Sequence, residues 1–194
     1  MRKFTRTVAL AVMMLGLSQG QMLAQDDQDD VHNVNIAVPE VALLDIESNG
    51  SKDITLGPDV PTEAGEALDF SNETNSDLWI NYSSIVGSKS DPRRDVTVQI
   101  TSGKVPASML LSVEASADAG AGDGTMGTPG TSLTLNAKAQ DIITGVGSAY
   151  TGNGPSKGHL LTYKLSLDPK KGSYASLDFD QANTLGITYT LTDQ

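Results

Sequence analysis

The chain has 194 residues, with 13 basic residues against 24 acidic ones and no cysteine. A net charge of −11, with no basic patch, sets it against nucleic acid and anionic lipid as partners. The lack of cysteine excludes disulfides, a lipid-anchored lipoprotein and thiolate metal sites.

The first segment reads as an address label. Arg2, Lys3 and Arg6 form a basic start, and Val8 to Leu17 is an apolar run. That run is too short to span a bilayer, which takes about 20 residues. Small residues follow up to Ala24, so residues 1–24 are expected to be a secretory signal peptide. Cleavage after Ala24 is favoured, with Gly20 as the alternative. The leader takes three basic residues with it and leaves 10 against 24 acidic, a net −14. Residues 25–32 form an acidic lead-in, with too little apolar surface to order itself. No later apolar run reaches membrane-spanning length.

From residue 33 to the end the pattern is period two. Val34, Ile36 and Val38 alternate with polar or small neighbours. Val41 to Ile46 follows, given an extended start by Pro39. The same alternation recurs at Leu78, Ile80 and Tyr82, at Val96, Val98 and Ile100, and at Leu111, Val113 and Ala115. Leu133, Leu135 and Ala137 continue it, then Leu161, Tyr163, Leu165 and Leu167. Leu185, Ile187, Tyr189 and Leu191 close the chain, with Thr188, Thr190 and Thr192 on the other face. Turn signals such as Gly57-Pro58-Asp59 and Asp168-Pro169 separate the runs. The pattern predicts about nine to eleven strands with one buried face each. The fold class is all-β, and the expected architecture is a two-sheet antiparallel β-sandwich of Ig-like or jelly-roll style filling residues 33–194. Of two glycine-rich stretches, 115–131 is expected to be a long surface loop or irregular hairpin and 145–158 a loop, and a short turn is expected over 180–183.

Three chemistries can be weighed against this frame. Gly154-Pro155-Ser156-Lys157-Gly158 fits the G-x-S-x-G pattern of serine hydrolases. A nucleophile elbow joins a strand to a helix, whereas this stretch precedes a strand pattern and Pro155 removes an N–H beside the serine. His32 and His159 are the only histidines. The stretch therefore reads as a hairpin loop, and the protein as non-enzymatic. Zinc has no ligand set, while calcium (Ca2+) remains open at Asp118 and Asp123, which flank a Gly-Ala-Gly run. For a glycan, the candidate stacking residues are Trp79, out of phase with Leu78, Ile80 and Tyr82, and Tyr150.

Three stretches, Val38 to Glu47, Asp141 to Ser148 and Ile187 to Asp193, resemble a group of uncharacterised secreted β-sandwich proteins of Gram-negative bacteria. That resemblance implies export and a sandwich, and no particular activity. The ending is also similar to the last strand of WxL-type surface domains, with Tyr189 in the tryptophan's place, and to fimbrial subunits in style. The chain departs from pilins in lacking their cysteines. The combined expectation is a non-enzymatic, secreted structural or adhesive protein of the cell surface or periplasm, fimbrial-like, associating with itself through the terminal strand Leu185 to Thr192. The alternative is a soluble carbohydrate- or calcium-binding β-sandwich module.

Overall fold

The computed structural model describes residues 29–170, 174–181 and 184–194. The expected signal peptide, the first part of the acidic lead-in and the end of the turn at 180–183 lie outside the described residues. Residues Val38–Gln194 make up one compact unit. Residues 29–37 belong to a separate unit, carry no helix or strand, and are exposed.

The compact unit is all-β. Its nine strands are β1 (Val41–Ser48), β2 (Thr74–Ile85), β3 (Arg94–Ser102), β4 (Met109–Asp118), β5 (Asp123–Pro129), β6 (Leu133–Thr134), β7 (Gln140–Tyr150), β8 (His159–Leu167) and β9 (Gly186–Asp193). Short 3-10 turns at Tyr174–Ser176 and Phe179–Gln181 lead into β9. The strands hydrogen-bond in the order β6-β4-β8-β2-β7-β3-β9, with β1 added to β2 and β5 to β7. Every pairing among the described strands is antiparallel, and the sheet is open, ending in β6 and β9.

Alternation in the sequence becomes burial in the fold. Leu78, Ile80 and Tyr82 on β2, Val96, Val98 and Ile100 on β3, and Leu161, Tyr163 and Leu165 on β8 are all buried. All of these but Leu165 join Leu111, Val113, Ile142, Ile143 and Val146 in one core; alternate residues turn inward as the pleat requires, except where the register shift in β7 buries Ile142 and Ile143 together. β1 and β9 cover it less completely. Leu44 and Ile46 on β1 and Ile187, Tyr189 and Leu191 on β9 are only partly buried. The hydroxyls of Tyr163 and Tyr189 hydrogen-bond at 2.7 Å, although β8 and β9 are not neighbours in the sheet order.

Three expectations are corrected. The alternation at Val34, Ile36 and Val38 forms no strand. Alternation alone does not make a strand, which also needs a partner edge to satisfy its backbone groups. The stretch 115–131 is not a loop. β4 runs on to Asp118 and β5 occupies 123–129, paired to β7. The glycines that hid β5 are what lets it pair. A Cβ on Gly124 would sit 2.2 Å from the Ser148 carbonyl oxygen, and its φ is +105°. Gly124→Ala is therefore expected to cost more than about 1 kcal/mol. Urea unfolding checks this, and an unchanged midpoint would mean β5 can shift off β7. Likewise β7 continues through Gly145 and Gly147 to Tyr150, which leaves only 151–158 as loop.

Candidate functional site

The outward face of β2 carries Trp79, Asn81 and Ser83, the residues alternating with the core positions. On one side β1 sets Glu47, Asp45 and Leu43 opposite them. On the other side Leu160 of β8 lies opposite Trp79, and Tyr150 of β7 lies opposite Ser83. The loop 151–158 is pinned to this face. Backbone Tyr82 N–H donates to the Thr151 hydroxyl at 3.0 Å, and the Asn81 side-chain amide donates to the Gly154 carbonyl at 2.8 Å. Gly158, at φ +65°, lets the loop return, because a Cβ there would meet the Ile80 carbonyl oxygen at 2.2 Å.

These elements leave a shallow, open groove of about 520 Å³, lined by Leu43, Asp45, Ser83, Tyr150, Gly152 and Asn153 among others. Tyr150 is 54% exposed and Leu43 66%, so the groove offers an aromatic ring and an aliphatic side chain beside polar groups. Asp45 is held by Lys52 at 3.0 Å, and that hydrogen bond keeps its carboxyl below the usual carboxylate range. Trp79 is half-buried between Glu47 and Leu160 and does not line the groove. It lies four residues before Ser83 on β2, about 13 Å along the strand. The two aromatics predicted from sequence thus do not form one platform. Leu43, Asp45 and Asn153 carried no signal in the sequence, because their placement depends on the β1–β2 register and on the fold of the loop.

Below this face sits a polar network. His159 is fully buried at the start of β8. Its Nδ1 lies 2.8 Å from the Ser116 carbonyl oxygen and its Nε2 lies 2.8 Å from the Tyr82 hydroxyl. The Tyr82 hydroxyl in turn donates to the Met126 carbonyl. Burial lowers the His159 pKa, against the pull of the Ser116 carbonyl and the Asp118 carboxylate. Burial raises the Tyr82 phenol, and Asp118 adds to this. Both ring nitrogens of His159 therefore face groups other than Ser156. Ser156 is exposed in the loop at φ +63°.

Asp118 and Asp123 each accept a hydrogen bond from a nearby backbone amide. Asp118 Oδ2 accepts from Gly120 N–H at 2.7 Å, while its Oδ1 is buried without a hydrogen-bond partner beside the His159 network. Asp123 is exposed and accepts from Gly124 N–H. Among the described residues no group of three or more His, Asp or Glu side chains is placed to hold a metal ion.

The other buried polar cluster is centred on Arg94, whose side chain is 1% exposed. Its Nε donates to Asp193 at 2.7 Å and its Nη2 to Glu40 at 2.5 Å. Its Nη1 reaches the carbonyls of Val41 and Ile85 and the Ser84 hydroxyl, at 2.9, 3.0 and 3.1 Å. One side chain thus ties the start of β1, the end of β2 and the end of β9 together. Among the described residues no helix is long and apolar enough to cross a membrane.

No family model matches the chain, and no curated protein and no solved structure matches it.

Proposed function

We propose that this protein is an exported, non-enzymatic structural or adhesive protein of the bacterial cell surface or periplasm that works by strand-edge association. The observation that carries this reading is β9. It ends the sheet, pairs with β3 alone, and from Gly186 to Thr192 has no charged side chain. Edge strands in soluble proteins are commonly protected by charge, by proline or by a covering element. An edge with no charge, in a chain of net charge −11, suits a surface meant for pairing. In the same reading the sheet is folded over into a two-layer sandwich. The Tyr163–Tyr189 hydroxyl pair supports this, since it joins strands well separated in the sheet order. Export rests on the sequence of residues 1–24.

A second reading has its own observation. Tyr150, exposed beside Asp45 and Asn153, gives the groove the mixture of ring face and hydrogen-bonding groups that a sugar uses. Calcium remains part of this alternative through Asp118 and Asp123.

Light scattering on the purified protein over a concentration series, with calcium and with chelator, separates the readings. Stable oligomers or polymers, indifferent to calcium, are the expected result. A monomer at every concentration in both conditions would sink self-association and move attention to glycan binding by the Tyr150 groove.

A further inference from the structure

We propose that Asn153 is a site of self-modification. Its side-chain amide is lost to attack by the Gly154 backbone nitrogen, which leaves a carboxylate in the groove that Tyr150 lines. The inference stands apart from the strand-edge and sugar readings, since the reaction needs no partner.

The chain holds two Asn-Gly pairs, Asn49-Gly50 and Asn153-Gly154. A glycine after an asparagine leaves its own nitrogen open to the side chain, because no Cβ stands in the way. Both asparagines are exposed. A Cβ added to either glycine would meet nothing within 4 Å, so there is room for a ring to close at both. The sequence therefore offers two candidates, and the fold separates them.

The difference is in the nucleophile. Gly50 N–H donates to the Ser48 hydroxyl at 3.0 Å. That bond occupies the proton the nitrogen must lose before it can attack. Gly154 N–H makes no hydrogen bond among the described residues, and neither does the Asn153 side chain. Gly154 also sits at φ +106°, a conformation natural to glycine alone. The loop is held on either side of the pair. The Thr151 hydroxyl donates to the Gly152 carbonyl at 3.1 Å, and the Asn81 amide donates to the Gly154 carbonyl at 2.8 Å. These contacts fix the flanks and leave the two reacting groups outside the hydrogen-bond network.

The chemistry balances with solvent alone. Hydroxide takes the Gly154 N–H proton, and the nitrogen attacks Asn153 Cγ. A Cγ–N bond forms, the bond from Cγ to Nδ2 breaks, and ammonia leaves with a proton from water. The product is a succinimide ring. Water then adds to one of its two carbonyl carbons and opens it to aspartate or isoaspartate. The sum is amide plus water giving carboxylate plus ammonia, with no change of oxidation state.

Position gives the reaction its consequence. Asn153 lines the groove together with Asp45, the one carboxylate there. The modified groove holds two, so its charge depends on the age of the molecule. The isoaspartate product also lengthens the main chain by one methylene, just ahead of the Gly154 carbonyl that Asn81 holds. Asn49 follows the end of β1 and does not line the groove, so the same event there leaves the groove unchanged.

Incubating the purified protein at mildly alkaline pH, then mapping its peptides by mass spectrometry, reads both sites in one sample. Labelling by an isoaspartyl methyltransferase marks the isoaspartate share. Reaction at Asn153 is expected to outrun that at Asn49 by about fivefold, the rate equivalent of one net hydrogen bond. Ser48→Ala, which frees Gly50 N–H, should raise the rate at Asn49 by a similar factor and leave Asn153 as it was. Asn153→Gln should stop the reaction at that position, since its longer side chain closes a larger ring. In urea the two sites should react alike, because the Ser48 contact is gone. Equal rates in the folded protein, a faster Asn49, or an Asn153 that stays intact would overturn the inference. So would a preference for Asn153 that persists undiminished in urea, which would assign it to the flanking sequence and not to the fold.

Discussion

Replacing Arg94 with alanine is expected to lower the unfolding free energy by about 3–5 kcal/mol, the cost of emptying a buried, fully bonded charge site. On a chain of this length that corresponds to a fall in Tm of about 6–20 °C. The reason lies in which partners are left behind. Glu40 and Asp193 have side chains 67% and 56% exposed, so they turn to water at little cost once the guanidinium is gone. The carbonyls of Val41 and Ile85 are backbone atoms fixed in strands, and they lose a donor without gaining one. Glu40→Gln and Asp193→Asn are therefore expected to cost only about 0–1 kcal/mol each. Arg94→Lys should fall between, because an ammonium keeps the charge but cannot fork to three strands. Urea unfolding followed by the fluorescence of Trp79, the only tryptophan, measures the whole series. If Arg94→Ala lies within about 1 kcal/mol of the unmodified protein, the cluster does not hold the strand ends together.

Phase explains what could be read in advance and what could not. Arg94 has the same parity as Val96, Val98 and Ile100, and His159 the same parity as Leu161, Tyr163 and Leu165. Extending each alternation back by one step places both polar residues inward, and both are buried. Turn residues beside each mask that signal: Asp91-Pro92 before Arg94 and Gly158 before His159. β5 was illegible for a different reason. Its pairing depends on absent Cβ atoms at Gly122 and Gly124, which local apolar patterning does not register. The candidate groove was legible only through Tyr150. Leu43 and Asp45 reach it because β1 pairs with β2 in one particular register, with Leu43 opposite Ser83 and Asp45 opposite Asn81. A slip by one residue would have turned both to the other face. The alternation at Val34, Ile36 and Val38 predicts a strand that the fold does not form, because period-two patterning registers apolar spacing and not whether a partner strand lies alongside.

Acidification should destabilise the fold through His159, and counting protons shows why. The Ser116 carbonyl, the imidazole, the Tyr82 hydroxyl and the Met126 carbonyl form a row of three contacts. Both ends of the row are acceptors, so three hydrogen bonds need three protons. A neutral imidazole and a phenol supply two. Only the imidazolium completes the row, and burial opposes that charge, lowering the His159 pKa against the help of Asp118. The sign follows from linkage. The unfolded chain takes up the proton near pH 6.5, the folded chain at a lower pH, so between those values the unfolded state binds more protons. Stability is then full above about pH 6.5 and is lost as the pH falls through the folded pKa of His159. His159→Gln, which keeps a donor and an acceptor, should remove this part of the acid response. His159→Ala should cost about 2–5 kcal/mol at neutral pH, since it leaves a cavity and strips the Ser116 carbonyl of its partner. Asp118→Asn discriminates most sharply. Its carboxylate is the group that raises the His159 pKa through charge, so removing it should push that pKa down further and carry the loss of stability to lower pH. Unfolding curves for the three variants and the unmodified protein from neutral pH down to the acid transition decide the matter. An acid response identical in His159→Gln and the unmodified protein would assign the loss to the surface carboxylates, and the buried row would then be a packing feature without a titrating proton.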